Sequence, residues 1–214
     1  MRYGGRLDDR TYYRVYAAGH SQDDYPLANG RPAGDAWSGR QGGFRVDRYQ
    51  DDATHFTWQA EMTAADLDHH TSDAYNFNTL ARWARTWSTR SVTEAQVYYD
   101  RTHRNDSLVA ATTVDTLDFT LQHSFGLGER HDVIWGLGYR FIAGKVAPTG
   151  PAVQVRKKDF SQRLSSAFVQ DEIKLVPDKL TLTLGTKIEH NDYTGWELSP
   201  SARLRWQPTE RQTV

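Results

Sequence analysis

The chain has 214 residues, 38% apolar, 12% aromatic and 25% charged, with a mean hydropathy of −0.73. That excludes a helical membrane protein, because a spanning helix needs roughly 20 consecutive apolar residues and the longest run here is about four, Leu108 to Ala111. With 26 basic and 27 acidic residues the net charge is −1, which lacks the basic surplus of a nucleic-acid binder, and the absence of cysteine leaves no disulfide and no thiolate metal site.

In chain order, the opening Met1-Arg2-Tyr3-Gly4-Gly5-Arg6 has no apolar core, so no secretory signal is read there. About ten strands follow, near 10–19, 36–49, 55–65, 76–87, 92–102, 115–125, 131–143, 160–175, 180–190 and 199–207. Their common mark is a period of two, which sends successive side chains to opposite faces of a strand. Phe56, Trp58, Ala60 and Met62 alternate with Thr57, Gln59, Glu61 and Thr63. Phe119, Leu121 and Phe125 alternate with Asp118, Thr120, Gln122 and Ser124. Val133, Trp135, Leu137, Tyr139 and Phe141 oppose Ile134, Gly136, Gly138 and Arg140, and Leu180, Leu182, Leu184 and Ile188 oppose Thr181, Thr183, Lys187 and Glu189. Two strands are less regular. Trp83 and Trp87 share parity with Arg85, and Asp171 falls among Ala167, Val169, Ile173 and Leu175.

Long connections are expected at Ser21–Asp35, Asp66–Tyr75, Thr102–Val114, Gly144–Asp159 and Asn191–Leu198. Short ones are expected at Gln50–Thr54, Ser88–Ser91, Gly126–Arg130 and Val176–Lys179. Long strands joined alternately by long loops and short turns are the habit of outer-membrane barrels. Aromatics near strand ends, among them Tyr12, Tyr13, Trp37, Tyr49, Tyr98, Tyr99, Phe125, Phe141, Tyr193, Trp196 and Trp206, fit an interface girdle. The fold expected is all-β, an antiparallel up-and-down transmembrane barrel wall facing outer-membrane lipid. Arg45, Glu61, Gln122, Arg140, Lys187 and Arg203 would face the lumen, with Glu189–Arg203 and Asp118–Arg140 as candidate ion pairs. A soluble antiparallel sandwich has the same alternation and stays open as the alternative, as does a complete ten-stranded barrel acting as a pore or a loop-site hydrolase.

Several phrases carry a family resemblance: Arg2-Tyr3-Gly4-Gly5-Arg6 with Tyr12-Tyr13-Arg14-Val15-Tyr16, Gly42-Gly43-Phe44-Arg45-Val46-Asp47, and Gln96-Val97-Tyr98-Tyr99-Asp100-Arg101-Thr102. Gly128-Glu129-Arg130-His131-Asp132-Val133, Phe168-Val169-Gln170-Asp171-Glu172 and Pro200-Ser201-Ala202-Arg203-Leu204 continue the series. In this order they resemble the barrel of a TonB-dependent outer-membrane receptor. The resemblance implies a 22-strand barrel closed by a plug and active uptake of a scarce ligand such as a ferric siderophore or cobalamin, in the outer membrane of a Gram-negative bacterium. It also implies that residues 1–214 are part of such a barrel, with signal peptide, TonB box and plug absent and TonB reached only through those missing parts. On this expectation the segments Thr11–Gly19 and Ser199–Gln207 are free edges, unpaired with each other.

Ligand-binding candidates are the aromatic and cationic residues of the long loops: Tyr25, Arg31, Trp37, His69, His70, Arg104, Lys157, Tyr193 and Trp196. Rings and cations together suit an anionic metal chelate through charge and cation–π contacts. His20, His69-His70 and His103 match no metal-ligand spacing, so no metal site and no cofactor are assigned. Asp66, Asp68, His69 and Ser72 hold the residue types of a hydrolytic triad without any nucleophile motif, so no catalytic residue is assigned.

Overall fold

The computed structural model describes residues 1–67, 72–150, 154–155, 158–209 and 212. Eleven strands form one sheet in chain order, every neighbouring pair antiparallel. They are β1 (Arg2–Asp8), β2 (Thr11–Gln22), β3 (Trp37–Tyr49), β4 (Thr54–Leu67), β5 (Ser72–Ser88) and β6 (Ser91–Asn105), followed by β7 (Ala110–Leu127), β8 (His131–Pro148), β9 (Asp159–Val176), β10 (Leu180–Asn191) and β11 (Gly195–Trp206). There is no helix and no second sheet among the described residues.

Beyond the ten alternating runs there is an eleventh strand, Arg2–Asp8, of which the family resemblance implies Arg2–Gly5 as the tail of a first strand, and it is paired from Arg2↔Tyr16 to Arg6↔Tyr12. Two glycines and three charged residues hide its alternation. The segment Thr11–Gly19 is therefore not an edge, since β2 pairs with β1 on one side and β3 on the other. Segment 199–207 does lie on the edge strand β11, and the two segments are unpaired. Closing this sheet on itself would join β1 to β11. These run in the same sense, so the seam would be parallel, whereas bacterial barrels close antiparallel with even strand numbers. That argues against a complete small barrel made of these strands alone.

Register settles the faces, because directly paired residues share one. Met62 pairs with Phe77, Trp58 with Val46, Leu121 with Ala95 and Leu137, Trp135 with Val169, and Leu184 with Ala202. Phe56, Trp58, Met62, Leu121, Trp135, Leu137, Leu182 and Leu184 thus lie on one continuous apolar face. Burial is inverted relative to a water-soluble protein. No apolar residue among those described is buried, while Thr11, Thr54, Thr57 and Thr181 are. Met62 is 53% exposed and Leu204 58%, whereas the Asp118 side chain on the opposite face is 14% exposed. A sandwich hides its apolar face against a second sheet, so that alternative is set aside.

The connections differ from expectation at one end. Only 23–36 and 149–158 are long, while β5, β6, β7 and β8 extend through the segments expected as loops 66–75, 102–114 and the start of 144–159. The outer turns of β5–β7 carry Ser, Asp, Thr, His and Arg instead of alternating apolar residues, and that of β8 carries Lys145 before Val146, Ala147 and Pro148. Backbone pairing continues there although the hydrophobic pattern stops, since ladder bonds need no apolar face. The girdle expectation also needs correction, because Tyr12, Trp37, Tyr49 and Tyr98 lie on the polar face.

The irregular strands have local causes. A register shift between Thr86 and Ser88 makes Trp87 a bulge, and the Arg85 guanidinium lies 4.4 Å from its ring centre. A second shift falls at Leu175, next to the turn where Asp178 adopts φ 58° and Lys179 N–H donates to the Val176 carbonyl at 3.1 Å. Asp171 does lie on the apolar face, where its Oδ2 meets His131 Nδ1 at 2.6 Å.

Candidate functional site

The face opposite the apolar one carries Arg45, Glu61, Gln122, Arg140, Lys187 and Arg203 together. Most are held by a neighbour. Arg45 makes a two-pronged bond to Asp47 at 2.7 and 2.9 Å, and Thr57 donates to the same carboxylate at 2.7 Å. Glu61 accepts from the Tyr16 hydroxyl. Gln122 donates to Glu94 at 3.0 Å, and Arg140 pairs with Asp118 across β7–β8 at 2.8 Å. The expected Glu189–Arg203 pair does not form, because register puts Arg203 opposite Thr183 and Glu189 opposite Glu197. Lys187 takes Glu189 instead, at 2.9 Å.

The long-loop end of this polar face holds a groove of about 620 Å³ across β2–β6. Its floor is one cross-strand row: His20, Gly39, Ala65, Ala74 and Arg104 are successive register partners. A parallel row of Gln41, Thr63, Asn76 and Thr102 forms its lower bank. The Trp37 indole lies over Gly39, where a Cβ would sit 3.3 Å from the ring, and His20 packs on that indole with ring centres 4.9 Å apart. The missing side chain at Gly39 leaves room for that ring edge. Among the described residues no Asp or Glu lines the groove.

Of the expected ligand residues, Trp37 and Arg104 are brought together here. Tyr25 and Arg31 stand apart on the 23–36 connection. A small hairpin braces it, with Ala33 N–H on the Tyr25 carbonyl at 2.9 Å and Leu27 N–H on that of Arg31 at 2.8 Å. Tyr193 lies in the β10–β11 turn, far along the sheet. Trp196 is on the apolar face against His190, 4.7 Å between ring centres, in line with Leu198. It does not belong with the groove. His69, His70 and Lys157 lie outside the described residues. His20, Gln41, Thr63, Asn76 and Thr102 were not singled out as ligand residues, since their nearness depends on register across five strands. The hydrolytic grouping also fails on geometry, because Asp66 and Ser72 belong to opposite faces of the β4–β5 hairpin.

A single open antiparallel sheet, apolar and exposed on one face and ion-paired on the other, is a section of membrane-barrel wall. The family model "TonB dependent receptor-like, beta-barrel" matches residues 2–214, and the chain belongs to that family, whose members are outer-membrane proteins of Gram-negative bacteria. Solved structures agree on the fold. The siderophore receptor PirA of Pseudomonas aeruginosa is 17% identical, with a TM-score of 0.75 over 98% of this chain and 36% of that one. A ferric enterobactin receptor (PfeA) mutant of the same organism is 19% identical, with a TM-score of 0.75 over 99% and 39%. The copper transporter OprC is 14% identical, with a TM-score of 0.66 over 94% and 39%. The chain thus spans well under half the length of these structures. No curated protein matches it.

Proposed function

We propose that residues 1–214 form part of the wall of an outer-membrane receptor that takes up a scarce metal-chelate ligand, a ferric siderophore being the foremost class. In this reading the apolar face meets lipid and the polar face lines the lumen. Coupling to TonB belongs to a plug and TonB box outside these eleven strands. Family membership supports the receptor role. The observation that carries the ligand reading is the placement of Trp37 and Arg104 in one groove at the long-loop end of the polar face, with no carboxylate in its lining among the described residues.

The test is uptake. The receptor containing this wall is expressed in an iron-starved Gram-negative host deleted of its own chelate receptors, and labelled iron is supplied as ferric enterobactin and other chelates. Uptake of at least one chelate that disappears in a tonB-deficient host is expected. Uptake equal to that of the empty host for every chelate would overturn the reading.

A further inference from the structure

We propose that the β2–β6 groove is a trough for an extended ligand segment, with a flat ring at the His20–Trp37 end, a hydrogen-bonding spacer in the middle and an anionic group at Arg104. The proposal rests on the receptor reading only for its biological setting; the chemistry is that of the groove itself.

The dimensions come from register. His20 and Arg104 end one row four strand spacings long, about 19 Å at ~4.8 Å per spacing. The three positions between them are Gly39, Ala65 and Ala74, so the floor has no side chain beyond a methyl. One small residue on a sheet face is ordinary, but three in line between a ring pair and a cation leave a channel about one extended chain wide. A globular ligand would touch one end of it, whereas an extended one reaches both.

Each part has its own chemistry. The indole, laid over Gly39 and backed by the His20 imidazole, offers a ring surface for stacking. The lower bank presents Gln41 and Thr63, whose side chains make no hydrogen bond among the described residues, beside Asn76, which is already bound to Asp100 at 2.7 Å. The two free groups suit an amide or hydroxyl spacer. Arg104 is exposed and has no ion-pair partner among the described residues, whereas Arg45, Arg140 and Lys187 on the same face are paired. With no carboxylate in the lining among the described residues, that end favours an anion and disfavours a cation.

The probes are benzoyl-glycyl-glycine, which has a ring, an amide spacer and a carboxylate, and its neutral C-terminal amide. Both are water-soluble, and their binding to the detergent-solubilised receptor is read by calorimetry. The carboxylate is expected to bind about tenfold more tightly than the amide. Arg104→Gln should abolish that preference, so that carboxylate and amide bind with the same affinity, and Arg104→Lys should restore part of it. Ala74→Leu, which blocks the floor, should weaken both probes, as should Trp37→Leu. A preference that survives Arg104→Gln, or binding unaffected by Ala74→Leu, would overturn the proposal. Uptake is not read in this experiment. A groove that behaves as described in a protein without chelate uptake would sink the receptor reading alone, and uptake with no groove dependence would sink only the trough.

Discussion

The polar face is built differently in two regions. Over β2–β7 it is a mesh of polar groups: Arg45–Asp47–Thr57, Tyr16–Glu61, Arg82–Gln96 at 2.8 Å and Asn76–Asp100 at 2.7 Å. Over the middle of β8–β9 the same face carries Ile134, Gly136, Gly138, Ile142, Gly144 and Val146 on β8 and Phe160, Leu164 and Phe168 alternating with Gln162, Ser166 and Gln170 on β9, with Arg140 the one cation on that face of β8. There the rings lie over glycines. A Cβ at Gly136 would come within 2.4 Å of the Phe168 ring, and one at Gly144 within 2.1 Å of Phe160. The first region is held by exchangeable hydrogen bonds between wet groups. In the second an ion pair, Lys174–Asp132 at 2.7 Å, stands only at the turn end. Its middle is held more by shape, an aromatic ring filling the space a missing side chain leaves, as Trp37 does over Gly39 at one point of the first. Packing of that kind tolerates substitution worst.

The largest expected effect follows from that difference. Gly136→Val should lower the unfolding free energy in detergent by roughly 1–3 kcal/mol, since the new Cβ also meets the Leu121 carbonyl at 2.9 Å, and backbone cannot swing aside. Gly39→Val, on the polar face of the first region, where the nearest atom is the edge of the Trp37 ring at 3.3 Å and the nearest backbone oxygen is at 3.9 Å, should cost only about 0.5 kcal/mol. Equal costs at the two sites, read from urea midpoints, would erase the distinction.

A mid-sized effect is expected at the acid on the apolar face. His131→Leu leaves Asp171 without its partner among lipid-facing residues and should cost about 1 kcal/mol, with His131→Leu/Asp171→Leu recovering it. A double variant no more stable than the single one would show that Asp171 is solvated by water. Smaller again is Asp118–Arg140, whose arginine is half exposed. A double-mutant cycle should give a coupling of about 1 kcal/mol or less, reduced by salt.

The smallest effect is at the β3–β4 turn. Asp51 accepts from Ala53 N–H and the Thr54 hydroxyl, which hold its carboxyl below the usual value of 3.8. A lowered folded value means that its stabilisation is full above about pH 4 and is lost as the pH falls through the folded value. The stability gap between wild type and Asp51→Asn should therefore be constant near neutrality and shrink only in acid. A gap that grows on acidification would contradict the sign.

Much of this was legible in the sequence, wherever a strand has one apolar face in contact with a different medium from the other. The alternation Phe56–Met62 or Leu180–Ile188 could be read at once. It failed in two places for one reason, that pairing does not require such contrast. Strand β1 has glycines and charges on both faces, and the outer turns of β5–β7 carry mostly small and polar residues on both. Along β8 several polar-face positions are apolar too, yet Arg140 and the glycines keep the parity readable. The groove was legible only as two of its ends, Trp37 and Arg104. Its floor is three unremarkable small residues whose alignment comes from long-range register.

The central claim is that Phe56, Trp58, Met62, Leu121, Leu137 and Leu184 meet lipid while Glu61, Gln122, Arg140 and Lys187 meet water. The chain has no cysteine, so single cysteines can carry a spin label at each residue from 56 to 62 and from 182 to 188 without background. Power saturation in outer-membrane vesicles then reads accessibility to oxygen, which concentrates in lipid, and to a water-soluble nickel chelate. The expected result is alternation with period two, with oxygen high at 56, 58, 62, 182 and 184 and the nickel complex high at 57, 59, 61 and 187. Nickel access at the apolar set, or no alternation at all, would contradict the account.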